Sequence, residues 1–278
     1  MRLYTVKVTA LWGPVKLYSC VLLLLFSLSS AASAQTQSPQ RDTQAVSALH
    51  QAINALGGQA AIASLQNSAA IGTITPASAT SPVQAGKFKW EDDFSGKTYE
   101  FRYELQVGSA TRVFVSGHGT PAFNNGTKLF PLPPHVSYAQ PPFHLPAVML
   151  SRELNDPNCS FSFVGVAPLN GVSAIHIRSQ VNTGPIETVL SVHDWYFDAV
   201  RGLPLRVEYL TPSNSNMTDN KLAAADFSNY KTVNGVGVPF TITASEDGHV
   251  VSIATVVSIS FNNGIAPADF DLTTGGAL

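Results

Sequence analysis

The side chains best equipped for chemistry in this 278-residue sequence are seven histidines and a short acidic run. The histidines are His50, His118, His135, His144, His176, His193 and His249. A helical zinc hydrolase needs H-E-x-x-H, because that spacing turns two imidazoles toward one ion. The spacing is absent, so no metal site is expected, and the histidines read as single exposed or hydrogen-bonded side chains. Glu91, Asp92 and Asp93 place carboxylates together shortly before Gly96. General acid–base work requires a carboxylate that is buried and partnered enough to shift its pKa. In a turn between strands these three are expected to be solvated. His193 and Asp194 are neighbours on an expected strand, where successive side chains leave opposite faces, so they are not expected to act together.

The nucleophile and phosphate motifs are missing too. No G-x-S-x-G elbow occurs, and no Gly-rich loop of the phosphate-binding kind follows a strand. Gly117-His118-Gly119 is too short to cradle a phosphate and reads as a turn. Cys159 reads as a small buried hydrophobe. No catalytic residue and no cofactor are therefore expected.

The elements that must position these residues come from composition and periodicity. Charged residues make up 12% of the chain, about half of the roughly 25% usual in globular proteins. With 45% hydrophobic residues, long disorder is excluded. Lys and Arg number 16 against 18 Asp and Glu, which excludes a basic nucleic-acid binder. The first 34 residues carry Arg2, Lys7 and Lys16, no acid, the apolar run Val21 to Phe26, and the ending Ala32-Ser33-Ala34. That is the pattern of a secretory signal peptide, with cleavage expected after Ala34. The apolar run is far shorter than the roughly 20 residues of a spanning helix, so no integral span is expected in the mature chain. Cleavage removes Cys20 and leaves 13 basic against 18 acidic residues, a net charge of −5. One cysteine then remains, no internal disulfide can form, and stability must come from the core.

Val46, Leu49, Ile53 and Leu56 fall on one face of a helix starting near Asp42, stopped by Gly57-Gly58. A second short helix fits 59–65. Alternation follows, with Phe88 and Trp90 on one strand face. On the next strand Tyr99, Phe101, Tyr103, Leu105 and Val107 oppose Glu100, Arg102 and Glu104, the period-2 signature of a strand with one buried face. Residues 117–146 are rich in proline and read as irregular, and a short helix is expected over 147–154. Further strands are expected over 160–166, 172–182, 188–198, 203–210, 224–233, 238–245 and 249–261. In the last, Val251, Ile253, Val257, Ile259 and Phe261 are expected to share one face. Glycine at Arg201-Gly202 and Asp247-Gly248 marks hairpins, so antiparallel pairing is expected. Sequons occur at Asn125, Asn158 and Asn216.

Three stretches carry a resemblance. They are Ala48 to Gly58 followed by Ile71-Gly72-Thr73; Trp195 to Asp198 followed by Gly202-Leu203-Pro204-Leu205-Arg206; and Asp226 to Lys231 followed by Asn234-Gly235-Val236 and Val238-Pro239-Phe240. In order and spacing the chain resembles periplasmic proteins of the lipoprotein-carrier (LolA/LolB-like) fold from about residue 45 to 272. The resemblance implies a mainly β (α+β) class: a curved antiparallel half-barrel sheet wrapped over a few helices, with an apolar cavity of the kind that holds acyl chains. No domain linker and no fixed-period repeat is seen, so one domain is expected over 35–278, and the signal peptide implies a periplasmic or secreted location.

Within that frame the aromatic stripe Phe88, Trp90, Phe101 and Tyr103 has two readings, a ligand-cavity lining or ordinary core. Leu145, Val148 and Met149, with Phe143 and Leu150, form either a mobile lid or a fixed core helix. Three functions are open: a carrier of a lipid or other apolar ligand, an interaction module of the envelope with a filled core, or a cofactor-free enzyme. The first needs no reactive group, which agrees with the missing motifs.

Overall fold

Among the described residues, alternating sequence produces thirteen strands in a single antiparallel sheet that does not close into a barrel. The computed structural model describes residues 39–77, 84–117, 120–133, 143–212 and 219–271. The expected export segment, His118, His135 and the Asn216 sequon lie outside the described residues.

Two helices come first, α1 (Thr43–Ala55) and α2 (Gln59–Ala63). Asp42 caps α1 by accepting from the Gln44 and Ala45 N–H groups at 2.7 and 3.0 Å. A meander of six strands follows: β1 (Asn67–Pro76), β2 (Gly86–Asp93), β3 (Glu100–Val107), β4 (Ala110–Gly117), β5 (Thr120–Asn124) and β6 (Leu129–Pro131). Helix α3 (Pro146–Asn155) crosses to β7 (Cys159–Leu169), which opens a second meander. Its other members are β8 (Val172–Val181), β9 (His193–Asp198), β10 (Pro204–Pro212), β11 (Asn220–Val233), β12 (Val236–Glu246) and β13 (His249–Phe261). Helix α4 (Pro185–Leu190) lies between β8 and β9, and a 3-10 turn, Pro267–Phe270, follows β13. The two meanders join where β1 pairs with β13, so the first and last strands form the middle of the sheet. The sheet curves over α1, α2 and α3, whose apolar faces (Leu49, Ile53, Val148, Leu150) share one core with Phe88, Phe161, Trp195, Phe227 and Phe240. Gly57, at φ 117°, ends α1 so close to Gly235 that an added Cβ would sit 2.1 Å from its carbonyl oxygen.

Four sequence-based expectations need correction. Residues 188–198 are not one strand, because Pro185 starts a helical turn and β9 begins only at His193. The 117–146 stretch is not wholly irregular: β5 and β6 form there, at the sheet margin where proline is tolerated. The polar side of β3 is not solvated. The 3-10 turn covers it, burying the Arg102–Glu104 ion pair (2.6 Å) beside a small core of Val115, Ala122 and Phe270. Finally, β13 does not keep one face throughout. Its pairing to β1 steps from Ser258 opposite Ile71 to Val256 opposite Gly72, a bulge that reverses the phase. Ile259 and Phe261 point inward while Val251, Ile253 and Val257 (65% exposed) point outward.

Candidate functional site

Among the described residues, two histidine–carboxylate pairs are buried beneath the curved sheet, one near each end of α3. The first is built on β2. Phe88, Trp90 and Asp92 share the inward face, with the Phe88 and Trp90 rings stacked at 3.9 Å. Asp92 is 0% exposed, so the expectation of a solvated acidic turn is wrong for it, and Glu91 is buried as well. The turn itself occupies Phe94 to Tyr99, one step beyond the carboxylate. Asp92 Oδ2 accepts from Ser68 Oγ at 2.7 Å and lies 2.8 Å from His144 Nε2. Its Oδ1 accepts from the Tyr103 hydroxyl at 3.1 Å and from that of Tyr99. Burial, and after it the Asp92 charge, holds both phenols well above their ordinary value of 10.0. His144 is further fixed between the Trp90 ring (4.6 Å) and the Tyr103 ring (5.4 Å).

The second pair joins α3 to β9. His193 Nδ1 lies 2.6 Å from Glu153 Oε1, and Trp195 Nε1 donates to Glu153 Oε2 at 3.1 Å. His193 is 5% exposed, and its Nε2 has no hydrogen-bond partner among the described residues. Ser179, 1% exposed, stands directly across the β8–β9 ladder from His193, and its Oγ likewise has no partner among the described residues. Asp194 leaves the opposite face as expected, where it meets His176 (2.7 Å) and Arg178 (2.9 Å).

Helix α3 is fixed in place. Arg152 donates to the carbonyls of Phe94, Gly96 and Lys97 in the β2–β3 turn, and Ser151 accepts from Gln59 of α2 at 2.9 Å. Leu145, Val148, Met149 and Leu150 are all buried, so this is a core helix.

A groove of about 1270 Å³ runs along α3. Ile62, Phe101, Val148, Met149 and Val181 supply apolar lining, and Ser179 and His193 lie in the same wall. Of the residues expected to face a cavity, Phe101, Val148 and Met149 line this groove. Phe88 and Leu145 are packed in the core, and Trp90 and Tyr103 surround His144. Cys159 also lines the groove, where burial, and then the nearby Glu153 charge, pushes its thiol pKa up, so it is not an activated nucleophile. No group of three or more His, Cys, Asp or Glu side chains is placed to hold a metal ion among the described residues.

Asp92, His193 and Ser179 escape motif reasoning because what they face lies elsewhere in the chain: His144 ahead of α3 for Asp92, Glu153 on α3 for His193, and His193 across the β8–β9 ladder for Ser179. A signal was nevertheless present. Asp92 is in phase with Phe88 and Trp90, and His193 with Trp195 and Phe197, so each polar residue shares its neighbours' inward face.

No family model matches the chain. No curated protein matches it. Among solved structures, the fold recurs in a Vibrio parahaemolyticus domain named for outer membrane lipoprotein sorting, at 12% identity and TM-score 0.54, covering 82% of this chain and 96% of that one. It recurs in a DUF1329 family protein from Desulfovibrio piger, at 12% identity and TM-score 0.55, covering 82% and 97%. A LolA superfamily protein from Nitrosomonas europaea matches at 9% identity and TM-score 0.53, also over 82% and 97%. The chain therefore has a LolA-like fold. Among the described residues, no helix is long and apolar enough to cross a membrane.

Proposed function

We propose that this is an exported envelope protein that binds or carries a lipid or another apolar ligand in the groove between the curved sheet and α3. The observation that carries the reading is the groove itself, about 1270 Å³ with Phe101, Val148 and Met149 in its wall. Pockets that hold small ligands usually measure about 300–1,000 Å³, so this one has room for an acyl chain. Burying such a chain stabilises the complex by about 0.8 kcal/mol per methylene, without a reactive group or cofactor. Phe88, Trp90, Tyr103 and Leu145 act behind the lining, keeping the wall rigid. Residues 1–34 serve as the export signal and 35–278 as the single binding domain. The named role of the Vibrio relative in lipoprotein sorting is consistent with a periplasmic location.

The test is native mass spectrometry of protein purified from its own host, with lipid extraction of the same sample. A co-purifying acyl lipid is expected, and Met149→Trp, which intrudes on the groove wall, should reduce the amount retained while circular dichroism stays unchanged. Protein that carries no lipid and binds none on addition overturns the reading.

A further inference from the structure

We propose that Ser179 and His193 form a head-group subsite in the groove wall, and that it takes the carboxylic acid of a long-chain fatty acid. This deepens the carrier reading above and rests on it. The two residues face each other across the β8–β9 ladder, an arrangement that sets Cβ atoms about 4.5–5.5 Å apart. Each carries one buried polar atom without a partner among the described residues, Ser179 Oγ and His193 Nε2. Buried polar groups left unmatched are costly, and native proteins retain few of them.

The chemistry of the pair selects the ligand. Glu153 Oε2 accepts from Trp195 Nε1, and the Nδ1–H tautomer of His193 is the one that completes the contact to Oε1. In that tautomer Nε2 presents a lone pair, an acceptor, while Ser179 presents an O–H donor. A carboxylic acid offers the complement within one group: its O–H donates to Nε2 and its carbonyl oxygen accepts from Ser179. An ester offers no O–H. The acyl chain then runs along the apolar lining at Val181, Met149, Val148 and Phe101. Glu153, His193 and Ser179 also stand in the order of orienter, base and nucleophile. Ser179 Oγ makes no hydrogen bond to Nε2, however, and that contact is the mark of an activated serine.

The experiment measures displacement of N-phenyl-1-naphthylamine, a neutral apolar dye, from the delipidated protein by oleic acid and by methyl oleate. Wild type is expected to release dye at an acid concentration ~10-fold below that of the ester, since a site built for hydrogen bonding rejects a ligand lacking the group. Ser179→Ala removes the donor, and His193→Asn keeps a donor toward Glu153 while deleting Nε2. Both are expected to bring the acid down to the ester's potency and to leave the ester unchanged. If wild type treats acid and ester alike, or Ser179→Ala keeps the preference, the subsite is overturned and the carrier reading stands. If neither ligand displaces dye, the carrier reading falls and the subsite with it. Near-ultraviolet circular dichroism checks folding, and Ser179→Ala decides the matter should His193→Asn not fold.

Discussion

The two buried histidine–carboxylate pairs are chemically alike and differ in completeness. Asp92 receives Ser68, Tyr99, Tyr103 and His144, so both of its oxygens are shared twice. Glu153 receives His193 and Trp195, and beyond them His193 Nε2 and Ser179 Oγ have no partner among the described residues. The difference separates a latch from a site. A saturated network gains stability and rigidity, whereas an unsaturated one keeps hydrogen-bonding capacity for something that is not part of the chain. Burial of an acid and a histidine together is thus not enough to single out a site; Ser179 and His193 are set apart by unmatched atoms in residues that also line the groove.

The largest effect should come from breaking the saturated pair. Asp92→Ala removes the shared partner of four side chains in the interior and is expected to cost about 3–5 kcal/mol in urea unfolding, the range for removing one partner of a buried pair. Glu153→Gln disturbs only two bonds, and about 1.5–3 kcal/mol is expected on the same assay. Equal losses would erase the difference between the two pairs. The serines sharpen it with one substitution made twice. Ser68→Ala is expected to cost about 1 kcal/mol, while Ser179→Ala should be neutral or stabilising by up to about 1 kcal/mol, because only the latter removes an unmatched hydroxyl. Thermal melts read both signs.

The smallest effect is on pH dependence. Tyr99 and Tyr103 have pKa values raised in the folded state, so above about pH 10 the unfolded chain releases protons that the folded one keeps. Stability from these two phenols is therefore complete below pH 10 and declines as pH rises through the folded values. Absorbance at the phenolate band should show them ionising only together with alkaline unfolding. Early ionisation would mean that the Asp92 network is looser than its geometry.

Much of this architecture is legible in the sequence where a single period dominates. The spacing of Val46, Leu49, Ile53 and Leu56 predicts α1, and alternation at Phe88 and Trp90 predicts the inward face of β2. Legibility fails where tertiary contact overrides the local pattern. Arg102 and Glu104 look like a wet face until the Pro267–Phe270 turn folds over them. Val256 and Val257 are both apolar, so nothing in composition announces the bulge that turns one in and the other out. The groove is described the same way: Phe101, Val148 and Met149 were readable as candidates, but the Ser179–His193 pair required the β8–β9 register.

The central seam has a consequence for how the protein comes into being. Asn262 accepts from the Gln66 N–H across a separation of 196 residues, and the adjoining strands zip only when both are present. A nascent chain thus pairs its oldest strand on one side only, with β2, until nearly everything else has been made. Loop closure over that span is slow, and meanwhile β1 and β12 each show a bare ladder edge that any stray strand can occupy. The fold therefore leaves those two edges to be covered last, when β13 enters between them.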